Sequence, residues 1–109
     1  MIYEYRKYTA TPGNLPNLHK RFEEAVLALF ERHGIDVLAF WTPAVGGCSL
    51  TELHYIVQWP DAATMEKSWA ALFADPETAE VVARFDANGP IVATAENQLW
   101  KLTPYSPVP

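Results

Sequence analysis

The chain has 109 residues, half of them apolar, and a formal net charge of −5 at pH 7. This length fits a single domain over residues 1–109, and the apolar fraction is enough to build a core. An acidic chain with scattered lysine and arginine is a poor candidate for binding nucleic acid or an anionic membrane, because phosphate binding requires clustered positive charge. Cys48 is the single cysteine, so an internal disulfide is excluded.

Two features of the chain bear on its cellular location. The N-terminus lacks a basic segment followed by an apolar one, which a secretory signal would show, and the longest apolar run is too short to span a bilayer. A lone cysteine also fits a reducing compartment. We therefore expect a cytoplasmic protein.

The N-terminal third predicts a strand followed by a helix. The strand covers residues 2–9, and the helix covers residues 15–33, where apolar residues recur at three- and four-residue spacing. Asn14 is the expected N-cap of this helix. Gly34 is the expected left-handed residue that ends it.

The middle of the chain predicts two antiparallel strands, residues 35–42 and 50–59, joined by a hairpin loop that contains two glycines. Side chains alternate along the second of these strands. One set is apolar and suits a face covered by helices, while the other set suits a semi-polar cavity. The apolar set is Leu53, Tyr55, Val57 and Trp59, and the second set is Glu52, His54, Ile56 and Gln58.

The C-terminal part predicts two helices and a strand. Asp61 is the expected N-cap of a helix over residues 62–74, and Pro76 opens a shorter helix that ends near residue 87. A last strand is predicted over residues 98–102. The segment before it, residues 91–95, is ambiguous between strand and coil.

This order of elements predicts an α+β fold, a ferredoxin-like βαββαβ antiparallel sheet with its helices on one face. The uncovered face is expected to carry Tyr8, Ile56 and one of Phe40 or Trp41. Such an aromatic surface requires a cover. A second copy of the sheet is the economical cover, which predicts a homodimer with a barrel-like interior.

Residues 103–109 are rich in proline and predict an extended arm. Tyr105 lies between two prolines of this arm and would anchor it, so the arm is a candidate for docking on the partner subunit. The alternative is a disordered tail.

Three motifs, in this order, resemble the NIPSNAP family. Residues 3–8 resemble its opening E-x-R-x-Y motif, residues 55–76 resemble its central strand and helix, and residues 103–107 resemble its T-P-[YF]-S-P motif. The chain departs at Thr78, where bacterial members often carry an aromatic residue. The resemblance implies a dimeric α+β barrel, a fold shared with small cofactor-independent monooxygenases, haem-binding proteins and stress proteins. It implies no defined activity.

Glu4, Arg6 and Tyr8 alternate along the first strand and so share one face of it. Together they predict a site in which Arg6 binds a carboxylate or an enolate, Glu4 orients Arg6, and Tyr8 donates a hydrogen bond. The alternative is a structural ion pair between Glu4 and Arg6 that sets the strand or dimer register.

His54 is the best single titratable candidate, as a general base or a metal ligand, and the alternative is a hydrogen-bonded structural histidine. Trp41 and Trp100 lie on strands and are predicted to reach the cavity and stack on a ligand. Histidine pairs with the spacing of metal ligands, a cysteine–histidine signature at Cys48 and nucleotide-binding motifs are all absent from the sequence. We therefore expect no metal and no cofactor.

Three functions remain open at this point. The first is binding of a small organic molecule in a pocket of the sheet or barrel. The second is a cofactor-independent monooxygenase or isomerase, in which Arg6 stabilises an enolate-like anion and His54 moves a proton. The third is a non-catalytic dimeric interaction protein. The ligand-binding residues predicted for the pocket are Glu4, Arg6, Tyr8, Trp41, His54 and Trp100.

Overall fold

Within residues 1–108, which the computed structural model describes, four antiparallel strands form one sheet and the helices cover one of its faces. The strand order across the sheet is β2-β3-β1-β4, which is the ferredoxin-like order and confirms the predicted fold class. The elements are β1 (Ile2–Ala10), α1 (Leu15–Arg21), a π-helical segment (Phe22–Val26), α2 (Leu27–Arg32), β2 (Asp36–Trp41), β3 (Glu52–Trp59), α3 (Ala62–Ala74), α4 (Pro76–Phe85) and β4 (Val92–Trp100).

The first helical region is continuous in the chain but not uniform. Between α1 and α2 lies the π-helical segment, in which the backbone N–H of Leu27 donates to the carbonyl of Phe22. Asn14 precedes α1 without capping it, because its Oδ1 accepts from the side-chain amide of Asn17 (2.9 Å) and not from a backbone N–H of the first turn. Gly34 has φ of 70°, which confirms the predicted left-handed residue after the helix.

The last strand is longer than predicted. β4 pairs with β1 along almost its whole length. The predicted strand over residues 98–102 therefore overlaps only its end, since β4 stops at Trp100, and residues 92–95 are strand rather than coil. β4 is an edge strand whose side chains are nearly all exposed. Because neither face of β4 is buried, its sequence lacks the alternation that marks a half-buried strand.

The core lies between β3 and the helices. Leu53, Tyr55, Val57 and Trp59 are each at most 3% exposed, which confirms that this set of β3 faces the helices. The helices contribute the other large side chains, and the members from α1 to α4 are Leu15, Leu18, Phe22, Leu29, Phe30, Leu72 and Val81.

The pairing of β1 with β3 decides which face each β1 residue occupies. Arg6 lies directly opposite Tyr55, and directly opposed residues project to the same face. Glu4, Arg6 and Tyr8 therefore lie beneath the helices, and the prediction that Tyr8 lies on the uncovered face is wrong. The predicted pocket that joined these three residues to His54 is wrong for the same reason, since His54 projects from the other face.

No helix in residues 1–108 combines the length and the apolar character needed to cross a membrane.

Candidate functional site

Two clusters of polar side chains lie back to back, one on each face of the sheet. We call the cluster beneath the helices the inner network; its members are Glu4, Arg6, Tyr8, Tyr55, Trp59, Trp69 and Asn97. We call the cluster on the uncovered face the outer relay; its members are Tyr5, Glu52 and His54.

The Glu4 carboxylate is the centre of the inner network and is 1% exposed. Its Oε1 accepts from the indole N–H groups of Trp59 (3.0 Å) and Trp69 (2.8 Å). Its Oε2 accepts from Arg6 Nη1 (2.8 Å) and Asn97 Nδ2 (3.0 Å). Both carboxylate oxygens are thus occupied, so Glu4 organises the network rather than binding a ligand.

Burial raises the pKa of Glu4, but the hydrogen bonds from Asn97, Trp69, Arg6 and Trp59 outweigh burial, and the pKa lies below the ordinary value of 4.5. Glu4 is therefore ionised at neutral pH. Its charge balances the guanidinium of Arg6.

Arg6 connects Glu4 to two tyrosines. Its Nε donates to the Tyr55 hydroxyl (3.0 Å), its Nη2 donates to the Tyr8 hydroxyl (3.3 Å), and its guanidinium carbon lies 4.4 Å from the ring centroid of Trp69. Burial lowers the pKa of Arg6, but the nearby Tyr55, Tyr8 and Glu4 raise it more, so the guanidinium stays charged. These contacts hold Arg6 in one orientation.

The two tyrosine hydroxyls lie 2.8 Å apart. Tyr55 is fully buried, and burial raises its pKa well above the ordinary value, so its hydroxyl keeps its proton. Since Arg6 already donates to Tyr55, Tyr8 is the acceptor within reach of the Tyr55 proton among the described residues. Tyr8 thus accepts from both Arg6 and Tyr55, which leaves its own O–H available to a further acceptor.

Tyr8 also lines a cavity of about 100 Å³ between the helices and the sheet. An enclosed apolar cavity of roughly 150 Å³ is enough to bind benzene. This smaller space opens to the surface beside the exposed side chains of Phe73 and Val82, so it holds part of one ring while the rest lies at the opening. The walls are mostly aliphatic and aromatic, and they are formed by Tyr8, Arg21, Phe22, Val26, Leu29, Phe30, Trp69, Leu72, Phe73, Thr78, Val81 and Val82.

The outer relay is a row of three side chains on β1 and β3. The Tyr5 hydroxyl lies 2.7 Å from His54 Nδ1, and His54 Nε2 lies 2.9 Å from Glu52 Oε1. A carboxylate can only accept, so the imidazole proton belongs on Nε2 and Nδ1 accepts from Tyr5. Lys7 lies beside the relay, 3.9 Å from Glu52 and 3.0 Å from Glu96.

The tryptophans predicted to stack on a ligand both lie on the face of the outer relay. Trp100 stacks on Tyr5 with ring centroids 4.7 Å apart and an interplanar angle of 6°. Trp41 lies opposite His54 in the β2–β3 pairing, whereas Phe40 lies opposite Tyr55 and faces the helices. The predicted ligand-binding residues therefore form two groups: Glu4, Arg6 and Tyr8 beneath the helices, and Trp41, His54 and Trp100 on the uncovered face.

Sequence reasoning missed several members of both clusters. Trp59 and Trp69 carried a usable signal, because a buried indole N–H requires an acceptor and Glu4 is a buried carboxylate nearby in the fold. Asn97 carried none, since it lies on the part of β4 that the sequence left outside the last strand. Tyr5 was missed because its partner His54 was assigned to the other residues of β1.

A model of the NIPSNAP family matches residues 3–107 of the chain. Among solved structures, Atu4242 from Agrobacterium tumefaciens has 22% sequence identity and a TM-score of 0.83, with 98% of each chain covered. An uncharacterized NIPSNAP-like domain protein from Burkholderia xenovorans has 21% identity and a TM-score of 0.83, with 97% of this chain and 88% of that one covered.

A more distant likeness links the chain to SnoaB from Streptomyces nogalater, a cofactor-independent oxygenase, with 14% identity, a TM-score of 0.61, and 97% of this chain and 96% of that one covered. At these identities the likeness shows the fold alone. No curated protein matches the chain. The family match spans both polar clusters, and the chain belongs to the NIPSNAP family.

Proposed function

We propose that the protein binds a small, largely apolar organic molecule in the cavity between the helices and the sheet, and that the Tyr8 hydroxyl donates a hydrogen bond to one oxygen of that molecule. The observation that carries this proposal is that Tyr8 lines an apolar cavity while its oxygen lies within hydrogen-bond distance of Arg6 and Tyr55, and from this we infer that its hydroxyl proton is available to a ligand. Apolar walls with a few fixed polar groups are typical of small-molecule sites.

The inner network supports this role by fixing Tyr8. Arg6 and Tyr55 both donate to the Tyr8 oxygen, and Arg6 is held in turn by Glu4 and Trp69. A hydroxyl that accepts two hydrogen bonds, one of them from a cation, is a stronger donor than a phenol in water. The ligand class that fits is a molecule of about one ring that carries a carbonyl or phenolic oxygen.

Binding of two probes of similar size tests the proposal. We expect cyclohexanone to bind to the wild type and to bind about tenfold more weakly to Tyr8→Phe, because that variant lacks the donor. Toluene, which has no oxygen, should bind both proteins equally. Tyr3→Phe is the matched control, since Tyr3 lies on the uncovered face. Equal affinity of cyclohexanone for wild type and Tyr8→Phe, measured by calorimetry, would refute the role of Tyr8.

A second candidate is a cofactor-independent oxygenase or isomerase that uses the same cavity. Its support is the fold shared with SnoaB and the pairing of Arg6 with Tyr8, which suits an oxyanion. His54 has no part in this version, because it lies on the opposite face from Arg6. The test is oxygen consumption and product formation with electron-rich phenols and quinols. Turnover no higher than that of Tyr8→Phe would leave binding as the function.

A homodimer through the uncovered sheet face stays part of the proposal, as does the third candidate, a non-catalytic dimeric interaction protein. The support is the partly exposed apolar and aromatic surface there, formed by Tyr5, Trp41, Ile56 and Trp100. Tyr105 in the C-terminal arm is 86% exposed, which suits an anchor on the partner subunit. The cytoplasmic location also stays a prediction.

A further inference from the structure

Arg21, at the end of α1, places a cation in the wall of the cavity between the helices and the sheet. Its side chain is 12% exposed, about as buried as that of Arg6 at 16%. Arg6 donates hydrogen bonds to three side chains of the inner network. Arg21 has a much poorer set of partners within residues 1–108, because Asp86 Oδ1 lies 3.7 Å from its Nη1, which is beyond hydrogen-bond distance.

The other polar groups in the cavity wall, apart from the Tyr8 hydroxyl, already have partners. The Trp69 indole N–H donates to Glu4 (2.8 Å), and the Thr78 hydroxyl donates to the carbonyl of Leu72 (2.7 Å). Among the described residues that line the cavity, none is an aspartate or a glutamate. A cation without a carboxylate beside it in an otherwise apolar wall favours a ligand that carries a negative charge.

We infer that the molecule bound in this cavity is a monocarboxylic acid, and that Arg21 pairs with its ionised carboxylate while its apolar body contacts the aromatic and aliphatic walls. This inference rests on the proposed function and adds to it the charge of the ligand and the residue that recognises that charge. A carboxylate can accept two parallel hydrogen bonds from one guanidinium, which suits a side chain whose donors lack close partners. The ligand class is therefore a molecule of about one ring with a single carboxylate.

Two local features favour a ligand over a structural ion pair with Asp86 as the role of Arg21. The first is that Asp86 Oδ1 also accepts from the backbone N–H of Ile91 (3.2 Å), so this oxygen is shared. The second is that Arg21 directly precedes the π-helical segment, of which Phe22 and Val26 line the cavity. Single π-helical turns inside α-helices are frequent at functional sites.

Binding of cyclohexanecarboxylate and of its neutral amide, cyclohexanecarboxamide, tests the inference. The two probes have nearly the same shape, but only the first is charged at pH 7. We expect the wild type to bind the carboxylate at least about tenfold more tightly than the amide in calorimetry, because a charged hydrogen bond adds to the apolar contacts. Arg21→Met should remove this preference by weakening binding of the carboxylate while leaving binding of the amide unchanged.

Lys20→Met is the matched control, since the Lys20 side chain is 64% exposed on the same helix and its loss changes the net charge equally. This variant should keep the preference for the carboxylate. An equal loss in Lys20→Met and Arg21→Met would mean that the net charge of the protein, and not a contact with Arg21, sets the preference, and would overturn the inference.

The amide separates failure of this inference from failure of the proposed function. If the amide binds and the carboxylate binds no more tightly, the inference is overturned while the cavity stays the binding site. If neither probe binds and cyclohexanone does not bind either, the proposed function fails and the inference fails with it.

Asp86→Asn provides a second test should Arg21→Met not fold. The amide oxygen can still accept from Ile91, but the charge that competes for Arg21 is removed. The carboxylate should therefore bind about two- to fivefold more tightly than to the wild type, with no change for the amide. An unchanged affinity for the carboxylate in Asp86→Asn would overturn the inference.

Discussion

Glu4 is an ionised carboxylate at a position that water hardly reaches. A buried charge is tolerated when a counter-charge and hydrogen bonds replace its hydration, and Glu4 has one cation and three neutral donors around its two oxygens. Substitution of one member of such a buried pair has a large effect on stability, because the charge of the other member then stays buried without its counter-charge.

We expect Glu4→Gln to lower the free energy of unfolding at pH 7 by about 3 kcal/mol, because it leaves the partly buried guanidinium of Arg6 without its anion. Urea denaturation measures this change. Glu23→Gln is the matched control, since Glu23 is exposed on the helical surface and should change stability very little. If Glu4→Gln lowers the free energy of unfolding as little as Glu23→Gln does, the ion pair between Glu4 and Arg6 contributes little to stability.

The stability difference between wild type and Glu4→Gln should also depend on pH. The folded-state pKa of Glu4 lies below its ordinary value of 4.5, so the stabilisation is complete above that pH and is lost as the pH falls through the folded-state pKa. The difference in unfolding free energy between wild type and Glu4→Gln should therefore be constant from pH 7 to about pH 5 and shrink below pH 4.5. A difference that grows on acidification would contradict the assignment.

At the scale of the elements, the junction of α3 and α4 is tied to the end of the first helical region by two carboxylates, Asp75 and Glu77, of which Glu77 Oε2 accepts from Arg32 Nη2 (3.1 Å). Asp75 Oδ1 accepts from the backbone N–H of Glu77 and so caps α4, while Asp75 Oδ2 contacts His33 Nε2 (2.8 Å) and Arg32 Nη1 (2.8 Å). The hydrogen bond to His33, the cap and Arg32 lower the pKa of Asp75 to about 2.

We expect Asp75→Asn to lower the melting temperature at neutral pH, because the neutral amide keeps the shape of the cap but loses the ion pair with Arg32 and the carboxylate acceptor of His33. Since the folded-state pKa is depressed, the difference from wild type should be full above about pH 4 and should vanish as the pH falls from 3.8 towards 2. Thermal melts at four or five pH values measure it. Asp61→Asn is the matched control. Asp61 caps α3 without such partners, so this variant should show a smaller difference in melting temperature from wild type.

Which elements could be predicted depended on local signals. α3 has the predicted bounds because Asp61 caps its start and Pro76 follows its end, and both signals lie in the sequence itself. β4 was only partly predicted because an exposed edge strand has no alternation to recognise.

The contacts of the inner network could likewise be predicted only where they depend on local sequence. Glu4 and Arg6 are two residues apart, so their contact follows from strand geometry, whereas the partner Tyr55 depends on the pairing register of two strands, which neither strand encodes alone.

At the scale of the whole molecule, the two faces of the sheet differ in how they are covered. Helices bury one face, while the other leaves Ile56 and several aromatic rings partly exposed between charged side chains. A mixed surface of this kind suits a partner subunit better than bulk water.

We expect Ile56→Lys to weaken the proposed homodimer at least about tenfold, because it places a charge at the centre of the uncovered face of β3. Sedimentation velocity over a range of concentrations measures the dissociation constant. Val45→Lys is the matched control, since Val45 is 93% exposed in the loop between β2 and β3. A wild-type chain that sediments as a single subunit at high concentration would rule out the homodimer and its barrel-like interior.

Tryptophan fluorescence can distinguish the two faces of the sheet. Trp59 and Trp69 donate to one carboxylate beneath the helices, whereas Trp41 and Trp100 lie on the opposite side of the sheet. Intrinsic fluorescence in a Trp41→Phe, Trp100→Phe background would therefore report on the inner pair alone. Protonation of their shared acceptor or occupancy of the adjoining cavity would change this emission, while events on the uncovered face would leave it unaltered.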